Sequence, residues 1–215
     1  MATEINYRIF PDPQDYGEML LLQERTRNEI IEGKNCGTIY FLEHDPVYTS
    51  GLRGTDDQFI RPLNGIPVHK IKRGGELTWH GPGQLVLYPV VDIRKAGFSS
   101  IREFVNFFGL TIESVLREYC GISKAAWIEE KAGVWVEDRK IAFSGLHFRK
   151  FVPVHGYSLN IDPDLKSFSS IVPCGMPDCK ITSIKNETGK NHSIESISRQ
   201  ILLKAGKRIT GLTVF

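Results

Sequence analysis

The chain has 215 residues, 41% of them hydrophobic and 24% charged, and a formal net charge of +2. That length suits one large domain and is short for two, and the composition is globular, which excludes a disordered chain. The small charge without a Lys/Arg block gives no footing for nucleic-acid binding, and four scattered cysteines without a CxxC give none for a metal finger. Reduced thiols predict a cytoplasm-like compartment. The N-terminus from Met1 carries an early acid and no apolar leader, and no apolar run reaches the roughly 18 residues of a membrane span.

Tyr7 to Phe10 reads as a short opening strand. Pro13 to Ile31 reads as a helix with Asp12 as N-cap and Pro13 in first position, its inner face made by Tyr16, Met19, Leu20, Arg27, Ile30 and Ile31. Gly33 to Gly37 breaks it. Thr38 to His44 is β-branched and aromatic, hence a strand, with a loop over His44 to Gly51. Residues 52–67 are polar and turn-rich, and Val68 to Lys72 forms another strand. Lys72 to Gln84 then holds four glycines and a proline in thirteen residues, a poor helix and a poor continuous strand. Arg73, Glu76, Thr78, Trp79 and His80 are interleaved with those glycines, the pattern of a binding loop. The apolar run from Leu85 to Ile93 is a buried strand to anchor it.

Ser99 to Tyr119 is the clearest helix, opened by a Ser100–Glu103 capping box and closed at Gly121, with Ile101, Phe104, Val105, Phe108, Ile112, Val115, Leu116 and Tyr119 at helical spacing. It reads as core-packing and not functional. Two strands flank Glu137-Asp138 as a hairpin, Gly156 to Asp162 forms one more strand, and Ser193 to Ala205 closes as a helix with Gly206 as its stop. Strands and helices mix without regular alternation or repeat. The fold class is therefore α/β or α+β, with a mixed sheet.

Three constellations carry chemistry. Besides the glycine-rich stretch, Lys140 interrupts an apolar strand, as either an edge lysine with its head in water or a partly desolvated one beside a thiol. The third is Pro173-Cys174-Gly175, where a cysteine lies in a turn with the following N–H groups free. Cys174 is the leading nucleophile and Cys179 its rival, while Cys36 and Cys120 read as small apolar residues on regular elements. No G-x-S-x-G supports serine hydrolase chemistry, and Thr188-Gly189-Lys190-Asn191 lacks what a P-loop needs.

Arg73-Gly74-Gly75 with Thr78, His80-Gly81-Pro82-Gly83-Gln84 and Tyr88 resembles the signature of the octanoyltransferases of lipoate biosynthesis. Further similar segments are Leu42 to Thr49, Gly133 to Val136, Arg139 to Ala142 with Gly145, His155-Gly156 with Asn160, and Pro173-Cys174-Gly175 with Thr182-Ser183. They run in the family's order from about residue 40 to 185. The resemblance implies a single biotin/lipoate protein ligase-like domain over 1–215, a mixed sheet flanked by helices. By the same resemblance Cys174 is the acyl-accepting nucleophile and Lys140 lowers its pKa. The acyl substrate would be met by Arg73, Gly74, Gly75, Glu76, Leu77, Thr78, Trp79 and His80, by Phe143, Ser144 and Gly145, and by Gly156, Tyr157 and Ser158.

The implied reaction moves an octanoyl group from the phosphopantetheine thioester of acyl carrier protein to a lysine of lipoyl domains. These belong to 2-oxoacid dehydrogenase E2 subunits and the glycine cleavage H protein. No cofactor, metal or ATP is implied, and a cytoplasmic monomer is expected. The alternatives are an ATP-dependent lipoate–protein ligase and a non-catalytic acyl-carrier-binding protein. An apolar tunnel beside Cys174 and a basic patch at its mouth, suited to acidic protein substrates, complete the expectations.

Overall fold

The computed structural model describes residues 4–61, 63, 65–176 and 178–214, with Cys174 described in its backbone alone. Strand β6 (Gln84–Val91) is buried along its whole length. It pairs antiparallel with β2 (Gly37–Leu42) on one side and β10 (Val152–Asn160) on the other. Beyond β2 lies β1 (Asn6–Ile9), in parallel. Beyond β10 the sheet continues antiparallel through β9 (Arg139–Arg149), β8 (Gly133–Val136) and β7 (Ala125–Ile128), and β11 (Lys180–Ile181) joins β9 in parallel.

Strand periodicity explains the apolar run of β6. Leu85 and Leu87 join Ile39 and Phe41 in one core, while Val86, Tyr88 and Val90 join Tyr40 and Leu42 in another. Helices α2 (Ile101–Glu118) and α4 (Ile194–Ala205) cover the first face through Phe104, Phe108, Ile112, Ile197 and Ile201. Helix α1 (Tyr16–Ile31) covers the second through Met19 and Ile30. A separate three-stranded sheet, ordered β4 (Val68–Lys70), β3 (Val47–Ser50), β5 (Leu77–His80), carries the glycine-rich stretch. Tyr48, Leu77 and Trp79 from it pack with Phe143 of β9 and with Phe168, so the two sheets share a third core.

Several expectations need correction. Helix α1 starts at Tyr16, capped by Asp15, whose side chain accepts the Glu18 N–H at 2.9 Å, and not at Pro13 behind Asp12. Gln14 stays extended because its backbone bridges Glu43 and Asp45 beside His44. Its inner face also includes polar Gln23 and Thr26, which bond the His155 N–H and the Tyr40 hydroxyl. The expected loop over His44 to Gly51 contains β3, and the glycine-rich stretch contains β5, because each supplies the ladder the other needs. Strand β7 is an element the sequence pattern missed.

The α2 cap holds, with the Ser100 hydroxyl accepting the Glu103 N–H, but Glu103 reaches back to Ser99 and not to Ser100. Ile101 and Tyr119 are exposed at its ends. Short α3 (Ile184–Thr188) ends in left-handed Gly189, which accounts for that glycine without a phosphate. Among the described residues no helix is long and apolar enough to cross a membrane.

Candidate active site

A cavity of about 380 Å³ lies between the two sheets, at the small end of the roughly 300–1,000 Å³ common for small-molecule sites. Lys140 reaches it from β9. The register of β9 against β8 slips between Val134 and Trp135, so Trp135 stands opposite Lys140 and Ile141 is the extra residue of a β-bulge. Ile141 and Ala142 consequently both enter the core under α2, while Lys140 and Phe143 share the other face. Lys140 is 2% exposed, its Nζ donates to the Lys131 carbonyl at 2.9 Å, and it lies 5.4 Å and 5.0 Å from the Trp135 and Phe143 ring centroids. It is an interior strand residue, which removes the edge-lysine alternative. Gly133 makes room for it, since a Cβ there would sit 2.4 Å from Lys140 Cε and 2.3 Å from the Ala142 carbonyl.

The opposite strand opens the cavity. Pairing of β10 with β6 stops at Tyr157–Leu87, and Pro89, two residues on, has no N–H to continue a ladder. His155 adopts a left-handed φ of 59° at this point, a conformation that costs a non-glycine residue energy and recurs at functional sites. At Gly156 a Cβ would fall 2.0 Å from the Leu87 carbonyl, so only glycine fits.

The glycine-rich turn is tied down by its carbonyls. The N–H groups of Leu52, Arg53 and Gly51 donate to the carbonyls of Arg73, Gly75 and Glu76. The buried Arg73 guanidinium bonds its neighbour Gly74 O through Nη1 at 2.9 Å and grips Thr49 through Nε and Nη2, to the hydroxyl and the carbonyl. Arg73 thus holds the turn together from inside the wall.

Histidines and tyrosines add a further polar part to the lining. His80 Nδ1 contacts Gln84 Oε1 at 2.6 Å, and Tyr16 OH lies 3.4 Å from His155 Nδ1. Behind the lining, His44 Nδ1 donates to the Gln14 carbonyl at 2.8 Å, and its Nε2 receives the Tyr88 hydroxyl at 2.7 Å. Burial lowers the pKa of His44 to about 4. Burial, then His44, then the Arg73 cation take His80 to about 3, and burial followed by Arg73 takes His155 to about 3. All three rings are neutral near pH 7. Burial raises the Tyr16 and Tyr88 hydroxyls, so both keep their protons.

Cys174 lies in a 3-10 turn, Pro173–Gly175, packed beside β5, and Met176 lines the cavity. The side chain of Cys174 lies outside the described residues. The N–H groups of Gly175 and Met176, expected from the sequence to be free, instead close the turn on Val172 and Pro173. Cys179 is partly buried just before β11, with its Sγ 3.9 Å from the Lys180 carbonyl. Cys120 follows the end of α2, buried, its thiol pushed up to about 11 by that burial, and Cys36 sits in the loop before β2.

A model of the lipoyl protein ligase A/B catalytic domain matches residues 15–205. The chain belongs to that family. An octanoyltransferase of Renibacterium salmoninarum is 37% identical over 207 residues, 94% of this chain and 86% of the relative. One from Geobacter sp. strain M21 is 36% identical over 88% of this chain and 90% of the relative. A putative lipoate protein ligase from T. acidophilum, solved with bound lipoic acid, shares the fold with TM-score 0.69 at 14% identity, over 99% of this chain and 88% of that one.

In this ligase-family chain the cavity is lined by all but one of the residues expected at the substrate site. Arg73 to Thr78, His80, Phe143 to Gly145 and Gly156 to Ser158 line it together with Lys140. Trp79 does not, because its ring is buried in the third core, 5.6 Å from that of Phe168. Tyr16, Val105, Leu146 and Phe148 also line the cavity, with no sequence motif to mark them as site residues. Val105 brings α2, otherwise a core-packing helix, to the cavity wall. Its periodic apolar spacing carried no sign of this. Among the described residues, no group of three His, Cys, Asp or Glu side chains could hold a metal.

Proposed function

We propose that this protein is an octanoyltransferase that carries the acyl group as a thioester on Cys174. The observation that carries the reading is Lys140, buried on the bulged strand and lining the same cavity as Met176, two residues beyond Cys174. A cation beside a cysteine favours the thiolate, which is the nucleophile. The thiolate attacks the carbonyl of an octanoyl thioester on acyl carrier protein, a new C–S bond forms, and the pantetheine sulfur leaves with a proton from Lys140. A lysine amine of a lipoyl domain then attacks the acyl-enzyme. The C–N bond forms, the C–S bond to Cys174 breaks, and Lys140 takes the surplus proton.

Oxyanion stabilisation falls to the glycine-rich turn. The carbonyls of Arg73, Gly75 and Glu76 are held by the N–H groups of Leu52, Arg53 and Gly51, and that of Gly74 by the Arg73 guanidinium, so in this reading the N–H groups of Gly74 and Gly75 are the donors toward charge developing in the cavity. Val86, Val105, Leu146 and Phe148 supply an apolar wall for the tail, and Arg53 and Lys131 place basic side chains in the lining toward acidic protein partners. By the likeness to octanoyltransferases, the acceptors in this reading are lipoyl domains of 2-oxoacid dehydrogenases and the glycine cleavage H protein. The domain acts over its whole length, in the cytoplasm and as a monomer.

The test is intact-mass measurement after incubation with octanoyl-acyl carrier protein in the absence of ATP. An added octanoyl group, labile to hydroxylamine and mapped to Cys174, is expected. Modification only with ATP and a free acid would instead make the protein a ligase.

A further inference from the structure

A hydrogen-bond relay behind the cavity has a direction dictated from one end. The backbone carbonyl of Thr182 can only accept, so Asn160 Nδ2 donates to it, at 2.9 Å. Asn160 Oδ1 then faces Gln84 and accepts from Gln84 Nε2, also at 2.9 Å. Gln84 Nε2 has its second acceptor in the Trp79 carbonyl at 3.3 Å. Gln84 Oε1 is therefore the atom that meets His80, and His80 Nδ1 carries the hydrogen in that 2.6 Å contact. Gln84 and Asn160 are both fully buried, at 0% exposure, where an unpaired amide would be costly. A neutral imidazole with its hydrogen on Nδ1 keeps a lone pair on Nε2, and the His80 ring lines the cavity.

The neighbouring tyrosine has the same polarity. His44 Nδ1 is committed to the Gln14 carbonyl, so the Tyr88 hydroxyl spends its hydrogen on His44 Nε2 and leaves oxygen lone pairs. Tyr88 lines the cavity as well, and the His44 and His80 ring centroids are 5.8 Å apart. Two lining groups thus offer acceptors. An acyl chain has no hydrogen to give them, whereas an attacking amine does.

We propose that the Thr182–Asn160–Gln84 relay locks His80 in its Nδ1–H tautomer, and that His80 Nε2 accepts a hydrogen bond from the amine entering to take the acyl group. Gln84 and Asn160 are positioning residues in this scheme. The identity of the amine rests on the acyl-transfer reading above, whereas the tautomer does not.

The experiment combines a two-bond ¹H–¹⁵N correlation spectrum of histidine-labelled protein with single-turnover kinetics of each half-reaction. In the wild-type protein His80 should show a protonated Nδ1 and a bare Nε2. In Gln84→Leu the bare Nε2 signal should be lost or averaged. Aminolysis of the preformed thioester by a lipoyl domain should slow about tenfold, the loss of roughly one hydrogen bond, while thioester formation keeps its rate. A wild-type spectrum with the proton on Nε2 would overturn the relay, with no variant needed. Equal slowing of both half-reactions would overturn the role toward the amine. The spectrum requires no substrate, so failure to form any acyl adduct would count against the transfer reading and leave the relay to be decided by the tautomer alone.

Discussion

Mild acid should destabilise this protein far more steeply than its small net charge suggests. His44, His80 and His155 have folded-state pKa values of about 4, 3 and 3, against an ordinary 6.5, chiefly because burial disfavours their charged forms. Between the two sets of values the unfolded chain binds these protons and the folded one does not. Stability is therefore complete above pH 6.5 and is lost as pH falls toward the folded values. Each proton contributes about 1.36 kcal/mol per pH unit, so three give a slope of about 4 kcal/mol per unit near pH 5. Lowering the pH from 7.5 to 5 should then remove about 6 kcal/mol, comparable to the entire 5–15 kcal/mol stability of a typical domain. Urea unfolding at stepped pH measures this slope. His155→Asn, which tolerates the left-handed backbone at that position, should reduce it by about a third. A wild-type slope at or below about 1.4 kcal/mol per unit, one proton or fewer, would refute the argument that all three rings are held neutral by burial.

Cys174→Ala should abolish the octanoyl adduct and Cys179→Ala should leave transfer largely intact; a hydroxylamine-labile label mapping to Cys179 would contradict both. Lys140→Met should slow formation and consumption of the thioester, and the deficit should shrink as pH rises because hydroxide takes over ionisation of the thiol, which stopped-flow acylation across pH would follow. In Gly133→Ala the new methyl group would collide with the Ala142 carbonyl and Lys140 Cε, so a loss of about 1–3 kcal/mol in thermal or urea unfolding is expected, together with impaired acylation. Each methylene buried in the cavity should contribute roughly 0.8 kcal/mol and a full octanoyl tail about 5 kcal/mol, so equal use of acetyl and octanoyl donors would exclude a sheltered tail.

The sequence by itself determined most of the elements and the order of the motifs. Ser100 before a 3.6-residue apolar repeat, Ser193 before another, and the unbroken run in β6 are local signals, and local interactions decide them. The Arg73–Gln84 and Pro173–Gly175 motifs likewise singled out the glycine-rich turn and the cysteine turn. Where a residue's state depends on a partner distant in the chain, the local signal failed. Gln14 is extended because Glu43 and Asp45 bind its backbone, and Leu77–His80 is a strand because β3 lies beside it.

Only the tertiary structure decided which way the chemically active side chains face. Strand alternation read from the sequence cannot anticipate a bulge, and one extra residue at Ile141 is what turns Lys140 out of the helical core and into the cavity. The same holds for His80, whose available nitrogen is set by a carbonyl about a hundred residues away, through Asn160 and Gln84. A propensity is a property of a few neighbouring residues, whereas the direction of a hydrogen bond or a side chain is settled by whatever the fold brings against it.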